Sequence, residues 1–200
     1  MRNIIIGVAV LVFGLFVWSV AGRTVVAPEG DAVRSGEQNL QAPLTTTMKI
    51  TSPVFMENGT IPTEYTCDGR NVSPPLVFAD IPQGARSLAL IVEDPDVPKD
   101  RRPSGVFDHW VLFNIPPDMN GIDVNEIPPG IHGANSAGRA AYTGPCPPDR
   151  EHRYVFTLYA LDEMLALDQG ATKEELLEAM GGHVLAEAKL TGRYDRPGNP

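Results

Sequence analysis

Asp94-Pro95-Asp96, His109 and His152-Arg153-Tyr154 are the residues of this chain whose types fit acid–base or anion-binding chemistry. A carboxylate accepts hydrogen bonds, an imidazole donates and accepts, and a phenol donates. Gathered in one cavity they would offer donors to an anionic oxygen, while the carboxylate oriented an imidazole or met a ligand's ammonium. Singly, each has a plain structural reading. Asp and Pro form turns, and a lone His in an apolar strand is more often a satisfied core residue. Gly144-Pro145-Cys146-Pro147-Pro148 runs just ahead of His152. Proline fixes φ and removes a backbone donor, so this segment suits a pocket wall; its alternative is a simple connector.

Missing motifs narrow the chemistry. There is no Gly-x-Ser-x-Gly and no His-Glu-x-x-His, and Ser73 precedes two prolines. A hydrolase using Asp94, His109 and His152 as acid and base would lack a clear nucleophile or metal, and stands as the second reading. No cofactor and no metal are expected.

Elements must bring these residues together. Residues 86–93 predict a strand with Leu88, Leu90 and Val92 on one face and Asp94 next in that register. A carboxylate there is costly unless it is paired. Residues 108–115 predict a second strand, with His109, Val111 and Phe113 on one face. Residues 153–161 predict a third, in which His152 continues the face of Tyr154, Phe156 and Leu158. Residues 48–55 read as an opening strand. Short strands between Pro/Gly loops suggest an antiparallel β core. One helix begins at Thr172, where Glu175 completes a capping box. Its apolar stripe runs through Leu176, Met180, Val184 and Ala188, across a weak point at Gly181-Gly182.

The formal net charge of −9 and the lack of any Lys/Arg block exclude a nucleic-acid binder, which needs concentrated positive charge. A local anion site remains compatible with that charge, because a few donors suffice. Residues 1–21 hold the uncharged run Ile4–Ala21 behind Arg2, long enough to span a bilayer. It is read as an uncleaved anchor, with a cleaved signal ending near Ser19-Val20-Ala21 as the alternative. Residues 22–47 read as a flexible linker, 48–194 as the domain and 195–200 as a tail. Either fate of the first segment sends the domain outside the cytoplasm, anchored or secreted. There, Cys67 and Cys146 are expected to form one disulfide worth roughly 4 kcal/mol; two inert thiols are the alternative. A metal or redox pair is a weak reading without a Cys-x-x-Cys.

In chain order, Tyr65-Thr66-Cys67-Asp68-Gly69 into Ser73-Pro74-Pro75-Leu76, Asp94-Pro95-Asp96-Val97-Pro98, His109-Trp110-Val111-Leu112-Phe113-Asn114, Gly144-Pro145-Cys146-Pro147-Pro148 and His152-Arg153-Tyr154 resemble the phosphatidylethanolamine-binding-protein family. The likeness is to its prokaryotic, Raf-kinase-inhibitor-like (YbhB/YbcL-like) branch and covers about residues 48–194. The resemblance implies a mostly β (α+β) fold of two antiparallel sheets with peripheral helices, including one near the C-terminus. It also implies a small cavity for phosphate-like anions such as the phosphoryl group of phosphorylethanolamine. Its pocket residues would be Asp94, His109, Gly144, Pro145, His152 and Tyr154, with Asp96 in the same Asp-Pro-Asp motif. The expected function is non-enzymatic binding of a phosphate- or carboxylate-bearing small ligand, with regulation of a partner protein at the extracytoplasmic membrane surface. The loop 97–108, carrying Lys99, Arg101 and Arg102, is the candidate protein contact, or simply a solvated loop.

Overall fold

The structure is a computed structural model that describes residues 47–198. The anchor expected at residues 1–21, and all but the last residue of the linker, lie outside the described residues. Among the described residues no helix is long and apolar enough to cross a membrane.

Strands β1 (Lys49–Thr51), β3 (Leu76–Ala79) and β6 (Gly121–Ile122) form a small antiparallel sheet in the order β1-β3-β6. The larger sheet has six strands in the order β2-β9-β8-β4-β5-β7. Its members are β2 (Gly59–Thr60), β4 (Ser87–Asp94), β5 (Phe107–Ile115), β7 (Ile131–His132), β8 (His152–Leu161) and β9 (Val184–Tyr194). All its pairings are antiparallel except β2 with β9.

One apolar cluster joins the two sheets: Ile50, Leu76, Phe78 and Ile122 pack with Leu88, Leu90, Val92, Trp110, Phe156 and Leu190. A second covers the other face of the large sheet, where Ile91, Val111 and Phe113 meet Leu165, Leu176 and Met180. Strands β4 and β5 are therefore buried on both faces, which explains why both parities of their sequences are apolar.

Helix α1 (Lys173–Ala179) starts as predicted. The Glu175 N–H donates to Thr172 Oγ1 at 3.3 Å, and the Thr172 N–H donates to Glu175 Oε2 at 2.8 Å. Lys173 Nζ then reaches Asp108 at 2.5 Å and Glu93 at 3.2 Å, fastening the helix start to β4 and β5.

Three sequence expectations are corrected. The opening strand stops at Thr51 instead of running to residue 55, because Pro53 supplies no ladder donor. The helix stops at Ala179, and Val184 and Ala188 belong to β9. Gly182, at φ +86°, turns the chain in a conformation that side chains disfavour. A register shift between Ala160 and Leu161 leaves Val184 exposed and Ala188 buried, so the two share no face and the four-residue spacing beyond Met180 is a coincidence of composition.

The third correction concerns His109. Val92 pairs with Trp110 and Glu93 with Asp108, so β5 carries one extra residue between them. This bulge turns His109 away from the Val111–Phe113 face and onto the side of Asp94 and Tyr154.

Candidate functional site

The end of β4 and the start of β8 are joined by a buried polar chain. Asp94 is 3% exposed. Its Oδ1 accepts the Asp96 N–H at 2.8 Å, an Asx turn, and its Oδ2 accepts from His152 Nδ1 at 2.7 Å. His152 is fully buried, and its Nε2 donates to Asp149 Oδ1 at 2.9 Å. Only an imidazolium ring donates from both nitrogens, so His152 carries the positive charge that balances Asp94. The Arg153 N–H and guanidinium hold Asp96 by hydrogen bonds of 3.0, 2.8 and 2.7 Å. Its carboxyl is held down at about 2, chiefly by those bonds from Arg153.

Beside this chain lies a cavity of about 250 Å³. Val97, Phe107 and Pro148 supply apolar walls, and Asp94, His109 and Arg101 supply polar ones. The Thr143–Gly144 backbone and Cys146 complete the rim. His109 is 4% exposed, and its Nδ1 lies 2.6 Å from the Thr143 carbonyl oxygen. A carbonyl only accepts, so Nδ1 carries the proton. Burial, the largest cause, pushes the imidazole pKa below its ordinary 6.5, against the opposing pull of the Thr143 bond and of Asp94. In that neutral ring Nε2 is an acceptor. Tyr154 packs edge-on against His109, with ring centroids 5.2 Å apart. Its hydroxyl is buried without a hydrogen-bond partner among the described residues. Burial first, and then the charge of Asp94, push its ionisation upward.

The seven predicted site residues thus separate into groups. Asp94, His109 and Gly144 line the cavity, and Tyr154 backs His109. His152 and Asp96 sit behind, committed to Asp149, Asp94 and Arg153; the expected donation from His152 to a ligand is replaced by support of Asp94. Pro145 is buried, accepts the Cys67 N–H at 3.0 Å and leaves the wall to Pro148. The Gly144 N–H donates to Asn71 Oδ1 at 2.7 Å and so is not free for a ligand. A Cβ at Gly144 would stand 2.5 Å from the Tyr65 carbonyl oxygen, so only glycine fits this approach.

Cys67 and Cys146 form a disulfide with Cα atoms 5.4 Å apart, tying the cavity rim to the 65–69 segment. Sequence reasoning missed Arg101, Phe107 and Thr143 as lining, and Asn71 and Asp149 as supports. Phe107 could have been found as the residue two before His109. Asn71 had no signal, being 73 residues from its partner.

Comparison with known proteins identifies the family. Residues 51–195 match the family described as phosphatidylethanolamine-binding protein. A UPF0098 protein of Methanothermobacter thermautotrophicus is 52% identical over 155 residues, covering 74% of this chain and 99% of its own. A UPF0098 protein of Chlamydia muridarum is 48% identical over 149 residues, with the same two coverages of 74% and 99%. Among solved structures, a phosphatidylethanolamine-binding-protein homologue of Chlamydia trachomatis superposes with a TM-score of 0.74 at 46% identity, covering 76% of this chain and 99% of that one. E. coli YbcL, described as a member of the mammalian family, superposes at 0.68 with 26% identity, covering 75% and 99%. With its two sheets, its Asp-Pro-Asp turn and its Gly-Pro-Cys-Pro-Pro rim, this chain belongs to the phosphatidylethanolamine-binding-protein family.

Proposed function

We propose that the chain is a non-enzymatic binding protein whose cavity over Asp94 and His109 takes a small ligand through an anionic oxygen of phosphate or carboxylate type. The observation that carries this reading is the single uncommitted nitrogen, His109 Nε2, facing a cavity with Arg101 at its rim. The charge of Asp94 is already balanced by His152, which lowers the electrostatic cost of bringing an anion close. Neutral Nε2 accepts, so an anion binds in one of two ways. Either the ligand brings its own hydroxyl, as a protonated phosphate does, or His109 takes up a proton on binding. A ligand ammonium, as in phosphorylethanolamine, would turn toward Asp94.

Calorimetry with phosphate, phosphorylethanolamine and acetate tests this. Millimolar to micromolar dissociation constants are expected, weakening at least tenfold in His109→Ala. Equal heats for the two proteins would reject the assignment. Sulfate carries no proton to give, so its binding must protonate His109. Its affinity should rise as pH falls, by up to about tenfold per unit, until pH drops below the lowered pKa of the free imidazole.

The hydrolase reading would use the same Nε2 as a base. Against it, His152 is engaged by Asp94 and Asp149, and the cavity rim cysteine is locked in a disulfide. Turnover of a phosphoester or ester panel that vanishes in His109→Ala would revive it. Action at the extracytoplasmic membrane surface is supported by the run Ile4–Ala21 and by the disulfide, a bond of oxidising compartments. Membrane fractionation with and without residues 1–21 checks this part. Regulation of a protein partner would use the loop 97–108, and pull-down from membrane extracts with that loop replaced tests it.

A further inference from the structure

The cavity over His109 carries one cation that the fold itself does not use. Arg101 is exposed, belongs to the lining, and has no acceptor or ion-pair partner for its guanidinium among the described residues. Its basic neighbours are committed elsewhere. Arg153 holds Asp96 at 2.7 Å, Arg150 pairs with Asp149, and the Arg102 guanidinium lies 5.4 Å from the centre of the Phe107 ring. Lys99, on the same loop, is not part of the lining. The loop is packed back against the cavity. The Phe107 and His109 ring centroids are 4.8 Å apart, so the contact of Arg102 with Phe107 fastens the loop beside His109. The N–H groups of Arg101 and Arg102 both donate to the Pro98 carbonyl oxygen at 3.0 Å, which winds this stretch into a tight turn ahead of Pro103.

The volume leaves room for more than one group. About 250 Å³ would hold about eight waters at ~30 Å³ each, and a phosphate with five heavy atoms leaves part of it unfilled. A second cavity, of about 310 Å³, lies beyond a shared wall: His109 and Thr143 face the first, Trp110 and Tyr142 the second. The second has no Lys or Arg in its lining and includes Glu126, so of the two only the first offers a complement to additional negative charge. We propose that the ligand of the first cavity is a short phosphate monoester with a carboxylate on its carbon end, and that Arg101 is the residue that selects it. This rests on the anion reading of the cavity. The chemistry of the two ends sets the orientation. Near pH 6 a phosphate monoester still carries a proton to give to His109 Nε2, whereas a carboxylate has none. The carboxylate therefore meets Arg101, whose planar guanidinium can donate two parallel N–H bonds to it. Val97 and Phe107 wall the carbon chain between them.

Calorimetry of the full chain near pH 6 tests this with phosphoserine and phosphorylethanolamine, which differ by one carboxylate. The net charge of −9 disfavours the more negative ligand, so a preference for phosphoserine reports a local contact. Phosphoserine is expected to bind about fivefold tighter to the unaltered protein. Arg101→Gln, at an exposed position that leaves the fold intact, should bring the two affinities level and change that of phosphorylethanolamine by less than about twofold. Lys99→Gln should leave the preference unchanged, and His109→Ala should weaken both ligands. Equal affinities in the unaltered protein, a preference that survives Arg101→Gln, or one that Lys99→Gln also removes, overturns the proposal. In each of those cases phosphorylethanolamine binding that depends on His109 leaves the anion reading standing. Absence of binding by either ester, or binding indifferent to His109→Ala, overturns both.

Discussion

The two cavities share β5 and the 142–144 segment, yet they treat polar groups in opposite ways. Around the first, nearly every polar atom has a partner: Asp94 with His152 and the Asp96 N–H, His152 with Asp149, Gly144 with Asn71, His109 with Thr143. One imidazole nitrogen and the Tyr154 hydroxyl are left over. Around the second, the Trp110 N–H and both nitrogens of His132 lack partners among the described residues. The first site is held rigid by a largely satisfied network and presents His109 Nε2 to its cavity. The second is held by ring packing, with its polar groups buried among the rings. A buried network is expensive to break, whereas an unpaired polar group is cheap to remove.

The contrast should appear in stability, largest effect first. His152→Ala removes the counter-charge of Asp94 and leaves a buried carboxylate unpaired. It should cost about 4 kcal/mol in urea denaturation, and a loss under about 1 kcal/mol would break the picture of a tightly committed first site. Replacing both Cys67 and Cys146 with Ser should cost about 4 kcal/mol by the same measure, and should weaken phosphate binding because Cys146 forms part of the rim. Gly144→Ala should cost about 2 kcal/mol and lower phosphate affinity, since the new Cβ meets the Tyr65 carbonyl oxygen and Asn71 Oδ1.

Acid should loosen the Asp96–Arg153 clamp next. Asp96 has a depressed pKa in the folded chain, so its contribution is complete above the unfolded carboxylate range, near 4. It is lost as pH falls toward about 2. Because the pair is partly exposed, the loss is about 1 kcal/mol. Asp96→Asn should abolish that part of the acid sensitivity, seen in denaturation midpoints between pH 5 and pH 2. Trp110→Phe gives the smallest effect. It loses ring volume, which costs about 1 kcal/mol, and removes an unpaired N–H, which returns a similar amount. A net change near zero in thermal unfolding sharpens the comparison, while a loss above about 3 kcal/mol would mean that the indole N–H has a partner.

Much of the first site was legible in the chain because its signals are local. Two-residue alternation put Asp94 at the end of a buried face, and the Asp-Pro-Asp turn, the proline-rich rim and the capping box at Thr172 are each written in neighbouring residues. The motifs in family order identified the fold. The reading went wrong where a local period was ambiguous. Past Gly181-Gly182 the apolar spacing of Val184 and Ala188 imitates a helix repeat, although the two residues lie in β9 on either side of a register shift.

Sequence alone determined the strands at 86–93, 108–115 and 153–161, where helix α1 begins and which residue types could meet an anion, because backbone propensity and side-chain period act over a few residues; it missed β3 and β9, whose apolar residues carry no such clear period. Tertiary structure decided which way those residues point. His109 turns to the cavity only because the β4–β5 register admits an extra residue. His152 supports Asp94, rather than a ligand, only because the chain returns 58 residues later with Asp149 beside it. The ring nitrogens of Trp110 and His132 are buried without partners among the described residues only because β5 and β7 pair side by side. Partners so far apart along the chain become neighbours only when strand pairing is complete, and no local pattern encodes that register.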